Sequence, residues 1–209
     1  MTVYDQKITH KQQPSKKILD KKITIDKSKT MVKEYKDNAK KKPNNNNNNK
    51  IINKTTKKKP LEQPKIVFKT IEYDTNTGKV VYSGGVDKNG IFQGFGKVRK
   101  NSKLVYEGKF KDGEFHGRGK QIFEDGVYEG KFKDGEFHGR GKLTYPAGDI
   151  YEGAFKDGQF HGIGKWNSAN GDIYEGSWLN SKMHGNGQCF NAKSKKSYTC
   201  SFKNGVLIK

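Results

Sequence analysis

Beyond about residue 65 the chain alternates apolar and charged residues in short runs, each run closed by turn-forming residues. In the stretch Tyr128–Lys133, Tyr128, Gly130 and Phe132 share one parity and Glu129, Lys131 and Lys133 the other. A period of two puts rings and glycine on one face and charge on the other, as a half-buried strand requires. Asp134-Gly135 follows, a pair suited to the tight turn whose backbone needs positive φ, so the chain reverses there. A two-residue loop predicts Phe132 opposite Phe137, Gly130 opposite Gly139 and Tyr128 opposite Gly141. On the charged face it predicts Glu129 opposite Arg140 and Lys133 opposite Glu136. Glycines inside strands weaken them unless something packs against the bare backbone, and the pattern supplies aromatic rings for that purpose. The opposed charges contribute about 0.2–1 kcal/mol per pair and serve mainly to fix register.

The unit recurs. YEGKFKDGEFHGRGK occupies residues 106–120 and again 128–142, with looser copies starting at Tyr82, Tyr151, Tyr174 and Tyr198, at steps of 24, 22, 23, 23 and 24 residues. That period is too short for a helix pair and fits a hairpin with its return turn, which predicts a stacked array. Glu124–Gly126, Pro146–Asp149 and Ser168–Asp172 are rich in turn residues and bring the chain back to the next tyrosine. The expected fold is all-β: one elongated, single-layer antiparallel sheet of consecutive hairpins. Its array, residues 82–209, comprises about eleven strands spaced ~4.8 Å, or roughly 50 Å of ribbon. Residues 65–81 read as a leading hairpin or cap, from Ile66–Phe68, Ile71–Tyr73 and Val80–Tyr82. The framework positions are Tyr106, Gly108, Phe110, Gly113, Gly117 and Gly119 in one copy, and Tyr128, Gly130, Phe132, Gly135, Gly139 and Gly141 in the next. The third copy supplies Tyr151, Gly153, Phe155, Gly158, Gly162 and Gly164, and the fourth Tyr174, Gly176, Trp178, Gly185 and Gly187.

This tyrosine-glutamate-glycine, aromatic, aspartate-glycine and glycine-x-glycine order resembles the membrane occupation and recognition nexus (MORN) repeat family over about residues 79–205. The pattern decays at both ends: Tyr82-Ser83-Gly84 is degenerate, and Tyr198-Thr199-Cys200 has a thiol where glycine belongs. The resemblance implies a hairpin array without catalysis of its own, used to organise cytoskeletal, ciliary or membrane-junction assemblies, with several members forming elongated homodimers. Enzymes that carry such repeats do so beside a separate catalytic domain, and none is expected in the residues outside the array.

Composition divides the chain. Residues 1–64 hold 18 lysines against six acids, no arginine and the run Asn44–Asn49, and so carry +12 of the net +20. Such a segment cannot bury enough apolar surface to offset its ordering entropy and is expected to be a disordered tail. Lys40–Lys42 and Lys57–Lys59 within it resemble import signals or phosphate contacts to nucleic acid, a minor alternative we disfavour because lysine and asparagine tracts also arise without a selected role. No apolar run reaches the length of a membrane span or signal core, which makes a cytoplasmic chain the expectation, with membrane or cytoskeletal association and nuclear entry as further options.

Candidate chemistry is sparse. His116, His138, His161 and His184 fall at one repeat phase, but equivalent positions in neighbouring hairpins are about 10 Å apart, too far to share an ion, so they read as framework. Glu107, Glu129, Glu152 and Glu175 each have basic neighbours or solvent, no nucleophile lies beside a base, and the glycine pairs precede no helix. No catalytic residue, cofactor or metal site is expected. Cys189 and Cys200 lie on neighbouring strands and are expected to be free thiols. The leading expectation is a protein-binding scaffold, its partner unidentified, with a second copy of itself at the exposed sheet edges as one option. The alternative is an anionic phospholipid surface, contacted by Lys109, Arg118, Lys120, Lys131, Arg140 and Lys142 together with the tail.

Overall fold

The computed structural model describes residues 65–208; the tail expected at 1–64 lies outside the described residues, as does Lys209. Thirteen strands follow one another: β1 (Val67–Thr75), β2 (Gly78–Val86), β3 (Phe92–Lys100), β4 (Lys103–Lys111), β5 (Glu114–Phe123), β6 (Gly126–Lys133) and β7 (Glu136–Thr144). They continue with β8 (Ile150–Lys156), β9 (Gln159–Asn167), β10 (Ile173–Leu179), β11 (Lys182–Asn191), β12 (Lys196–Lys203) and β13 (Val206–Leu207). They form one open antiparallel sheet in strict sequence order, so every connection is a local reversal. The expected eleven-strand array is β2–β12, the leading hairpin adds β1, and a two-residue β13 ends the sheet.

The turns are as the residue types require. Asp112, Asp134 and Asp157 have φ of 51°, 50° and 49°, and the following Gly113, Gly135 and Gly158 have 84°, 81° and 78°. Two consecutive left-handed residues give a reversal whose twist matches the strands it joins. Each turn also anchors to the hairpin before it: Gly113 N–H donates to the Phe92 carbonyl, Gly135 to Phe115 and Gly158 to Phe137, all at 3.0 Å.

The register departs from the simple ladder. Phe132 faces Phe137 and Lys133 faces Glu136 as expected, but Gly130 faces Gly141, Tyr128 faces Leu143 and Glu129 faces Lys142. The expected pairings of Gly130 with Gly139, Tyr128 with Gly141 and Glu129 with Arg140 are therefore corrected. The cause is a two-residue bulge: Gly139 and Arg140 have no counterpart between Lys131 and Gly130, and Gly139 enters the left-handed region at φ 64°. The same offset falls at Gly117, Gly162 and Gly185, with φ of 62°, 62° and 69°.

The bulge sets the core. It brings Gly130 and Gly141 opposite one another, and the Tyr128 ring lies against both: a Cβ at Gly141 would come within 2.6 Å of the ring carbons Cε2 and Cζ. Tyr82, Tyr106, Tyr128 and Tyr151 are fully buried on one face of a single-layer sheet. Each tyrosine stacks on one ring of its own hairpin, Tyr106 on Phe115 at 3.6 Å and Tyr151 on Phe160 at 3.7 Å. Each also meets the next hairpin edge-on, Tyr106 with Phe132 at 5.3 Å and Tyr151 with Trp178 at 5.2 Å. Such pairs contribute about 0.5–1.5 kcal/mol beyond the area they bury. The core is thus a continuous row of rings passed from hairpin to hairpin.

Candidate functional site

With the rings on one face, the opposite face is free for other work, and it is hollow. A groove of about 730 Å³ crosses the strands from β3 to β10, floored by glycine backbone at Gly108, Gly119, Gly130, Gly141, Gly153 and Gly164. Two rows of side chains run along it. One alternates charge from strand to strand: Lys97 bonds Glu107 at 2.8 Å, Lys120 bonds Glu129 at 2.7 Å, and Lys165 reaches Glu175 at 3.6 Å. Within the hairpins the register sets Glu107 opposite Lys120, Glu129 opposite Lys142 and Glu152 opposite Lys165, so this row is balanced.

The other row is not balanced. It comprises the middle residue of each glycine-x-glycine, namely Phe95, Arg118, Arg140 and Ile163, interleaved with Lys109, Lys131 and Ala154 from the intervening strands. Arg118 stands directly opposite Lys131. Like charges across a strand pair are unfavourable, so the sheet gains nothing from this pairing. The lysine stems lie beside the bulge glycines: a Cβ at Gly117 would be 3.2 Å from Lys109 Cδ, and one at Gly139 equally close to Lys131 Cδ. The left-handed glycine thereby admits the stem. At the two ends of this cationic stripe Phe95 is 50% exposed and Ile163 66%.

All six basic residues singled out from the sequence therefore share this face. Lys120 and Lys142 belong to the balanced row; Lys109, Arg118, Lys131 and Arg140 form the stripe. The apolar ends escaped the residue-by-residue reading, although aligning the copies signals them: arginine gives way to Ile163 in His161-Gly162-Ile163-Gly164.

The framework residues serve the sheet. The tyrosine hydroxyls donate to the carbonyl three residues on, Tyr106 to Lys109 at 2.8 Å, Tyr128 to Lys131 at 2.8 Å, Tyr151 to Ala154 at 2.9 Å and Tyr174 to Ser177 at 2.9 Å. Burial pushes the phenols of Tyr82, Tyr106, Tyr128 and Tyr151 far above their ordinary range, which keeps them neutral donors. The histidines reach to the next turn: His116 Nδ1 lies 3.7 Å from Asp134, His138 Nδ1 3.5 Å from Asp157, and Asn204 N–H donates to His184 Nδ1 at 3.3 Å. Among the described residues no three His, Cys, Asp or Glu side chains converge as a metal site would need.

The cysteines require a correction. Cys189 and Cys200 are joined as a disulfide and are not free thiols. The register puts Cys189 opposite Tyr198 and Cys200 opposite Gly187, so the two are diagonal neighbours on the core face with Cα atoms 5.9 Å apart, within bridging range.

A hairpin array with tyrosine over paired glycines and a hollow opposite face defines a non-globular repeat protein. The model of the MORN repeat matches four consecutive segments, residues 106–127, 128–150, 151–173 and 174–192, so the chain carries a run of MORN repeats there. No curated protein matches the chain. MORN repeats are protein- or lipid-interaction modules, and the family is not an enzyme family.

Proposed function

We propose that the chain is a non-catalytic interaction scaffold that receives a segment of a protein partner in the groove of the charged face. One observation carries this reading: the groove crosses the strands from β3 to β10, with glycine backbone on its floor between two rows of side chains. A rigid trough of that form offers a long recognition surface with little ordering cost, since the sheet itself is already fixed. The basic stripe also suits an anionic phospholipid surface, the second reading. The recessed floor weighs against it, because a bilayer covers a depression and does not enter it.

The test places a photo-crosslinking residue at Ile163 inside the groove and, separately, at Lys133 beyond it, in the full chain expressed in cells. The reading expects a defined protein adduct from Ile163 and none of the same mass from Lys133. Equal labelling from both positions, or adducts with lipid alone, would refute it.

A further inference from the structure

The stripe has a period, and the period selects a ligand. The middle residues of successive glycine-x-glycine segments recur once per hairpin, every second strand, or about 9.6 Å along the groove. From Phe95 through Arg118 and Arg140 to Ile163 there are three such steps, with apolar side chains at the ends and guanidinium groups between. A peptide lying across the strands must present a side chain to the groove at the same interval. A β-strand fails: its side chains alternate faces, so residues three apart point in opposite directions. A polyproline II segment succeeds, because it has three residues per turn and rises about 3.1 Å per residue, returning every third side chain to one face after about 9.3 Å.

We infer that the groove binds a ten-residue segment in the polyproline II form, with large apolar side chains at its first and tenth positions and carboxylates at its fourth and seventh. The carboxylates meet Arg118, which has Lys131 opposite, and Arg140, and the apolar ends pack on Phe95 and Ile163. Planar guanidinium groups suit carboxylates because they donate two parallel hydrogen bonds. The segment also relieves the opposition of Arg118 and Lys131, which the free sheet leaves uncompensated. The balanced row alongside contributes Glu107, Glu129 and Glu152 to the groove wall. Lys120, Lys142 and Lys165 stand among those carboxylates, so this wall adds no net attraction for a uniformly anionic polymer or headgroup layer, and the attraction is confined to the stripe that a peptide with acids on one face can follow.

This inference rests on the scaffold reading and sharpens it to a partner chemistry. Its test uses the full chain and labelled synthetic peptides, read by fluorescence anisotropy. The reference peptide has leucine at both ends, glutamate at the fourth and seventh positions and proline elsewhere. Moving the second glutamate by one position should weaken binding about tenfold, the loss of roughly one charged contact. The double variant Arg118→Glu, Arg140→Glu should lose the reference peptide and acquire the peptide carrying lysine at both acidic positions, a rescue that a misfolded sheet cannot give. Ile163→Asp should weaken the reference peptide several-fold.

Binding indifferent to glutamate spacing, or unchanged in the double variant, would overturn the inference while crosslinking through Ile163 kept the scaffold reading intact. No binding of the reference peptide would also overturn it. Vesicles containing phosphatidylserine form the competing arm. If they bind the chain, lose it in the double variant and the peptide does not bind, the stripe is a lipid site and the inference fails.

Discussion

Tyr128 and Tyr198 occupy the same repeat position, yet one is fully buried and the other is 41% exposed. Tyr128 has a bare glycine two residues on, Gly130, and a second across the hairpin, Gly141, and its ring fills the space over both. Tyr198 has Cys200 two residues on, and β13 pairs only through Val206 and Leu207, so no second glycine stands beside it. The last hairpin replaces a ring on backbone with a covalent link to the strand before it. The contrast ties the tyrosine's burial to the glycine pair beneath it and the rings of its own and the next hairpin, all of which Tyr128 has. Where they are missing, the array needs another way to tie down its end.

The sharpest way to break the contrast is alkali. The buried phenols are raised far above their ordinary range, so they stabilise the fold fully below their unfolded value of about 10, and that stability is lost as pH rises beyond it. Thermal melts followed by circular dichroism should show the midpoint steady from neutral pH to about 9 and falling steeply above 10. The part of the phenolate absorbance that belongs to the four buried tyrosines should rise together with unfolding and not ahead of it.

Next in size is Gly130→Val. A Cβ there would stand 2.6 Å from Gly141 Cα and from the Tyr128 Cζ, so backbone or ring must move. A loss of about 3 kcal/mol is expected in denaturant unfolding, with hydrogen exchange faster in β6, β7 and both neighbouring hairpins. Cys200→Ser should cost about 2–3 kcal/mol at the other end, because the link closes a short loop of 11 residues separation, and its exchange signature should stay within β11–β13. Tyr128→Phe keeps the ring and removes the bond to the Lys131 carbonyl, for about 1 kcal/mol. Glu129→Gln, which breaks an exposed pair with Lys120, should change stability by less than about 0.5 kcal/mol.

Most of the fold was legible in the sequence because the repeat announces itself and aspartate-glycine fixes each reversal. The bulge was not. A turn determines register only until an extra residue enters, and the left-handed Gly139 looks the same on paper as the ring-covered Gly141. Parity places Gly130 on the face of Tyr128, but the bulge puts Gly141 and not Gly139 across from it. The groove shows the same division. Its basic residues follow from parity, but the separation into a balanced row and an unbalanced one depends on the bulge, which moves Arg140 away from Glu129 and sets Lys142 there instead. The disulfide depended on a choice that spacing alone leaves open, since adjacent thiols on one face serve equally well unlinked.

Because the tyrosine rings meet aromatic rings of their own hairpin and the next one, and every strand pairs only with its sequence neighbours, a whole copy can be inserted or removed without disturbing the rest. The identical fifteen-residue segments at 106–120 and 128–142 have the look of such a duplication. Copying a unit would lengthen the trough by about 9.6 Å and add one more x to its row of contacts. Gene duplication would then act on recognition as a ruler with divisions, changing the length of what is held one mark at a time and leaving each existing mark in place.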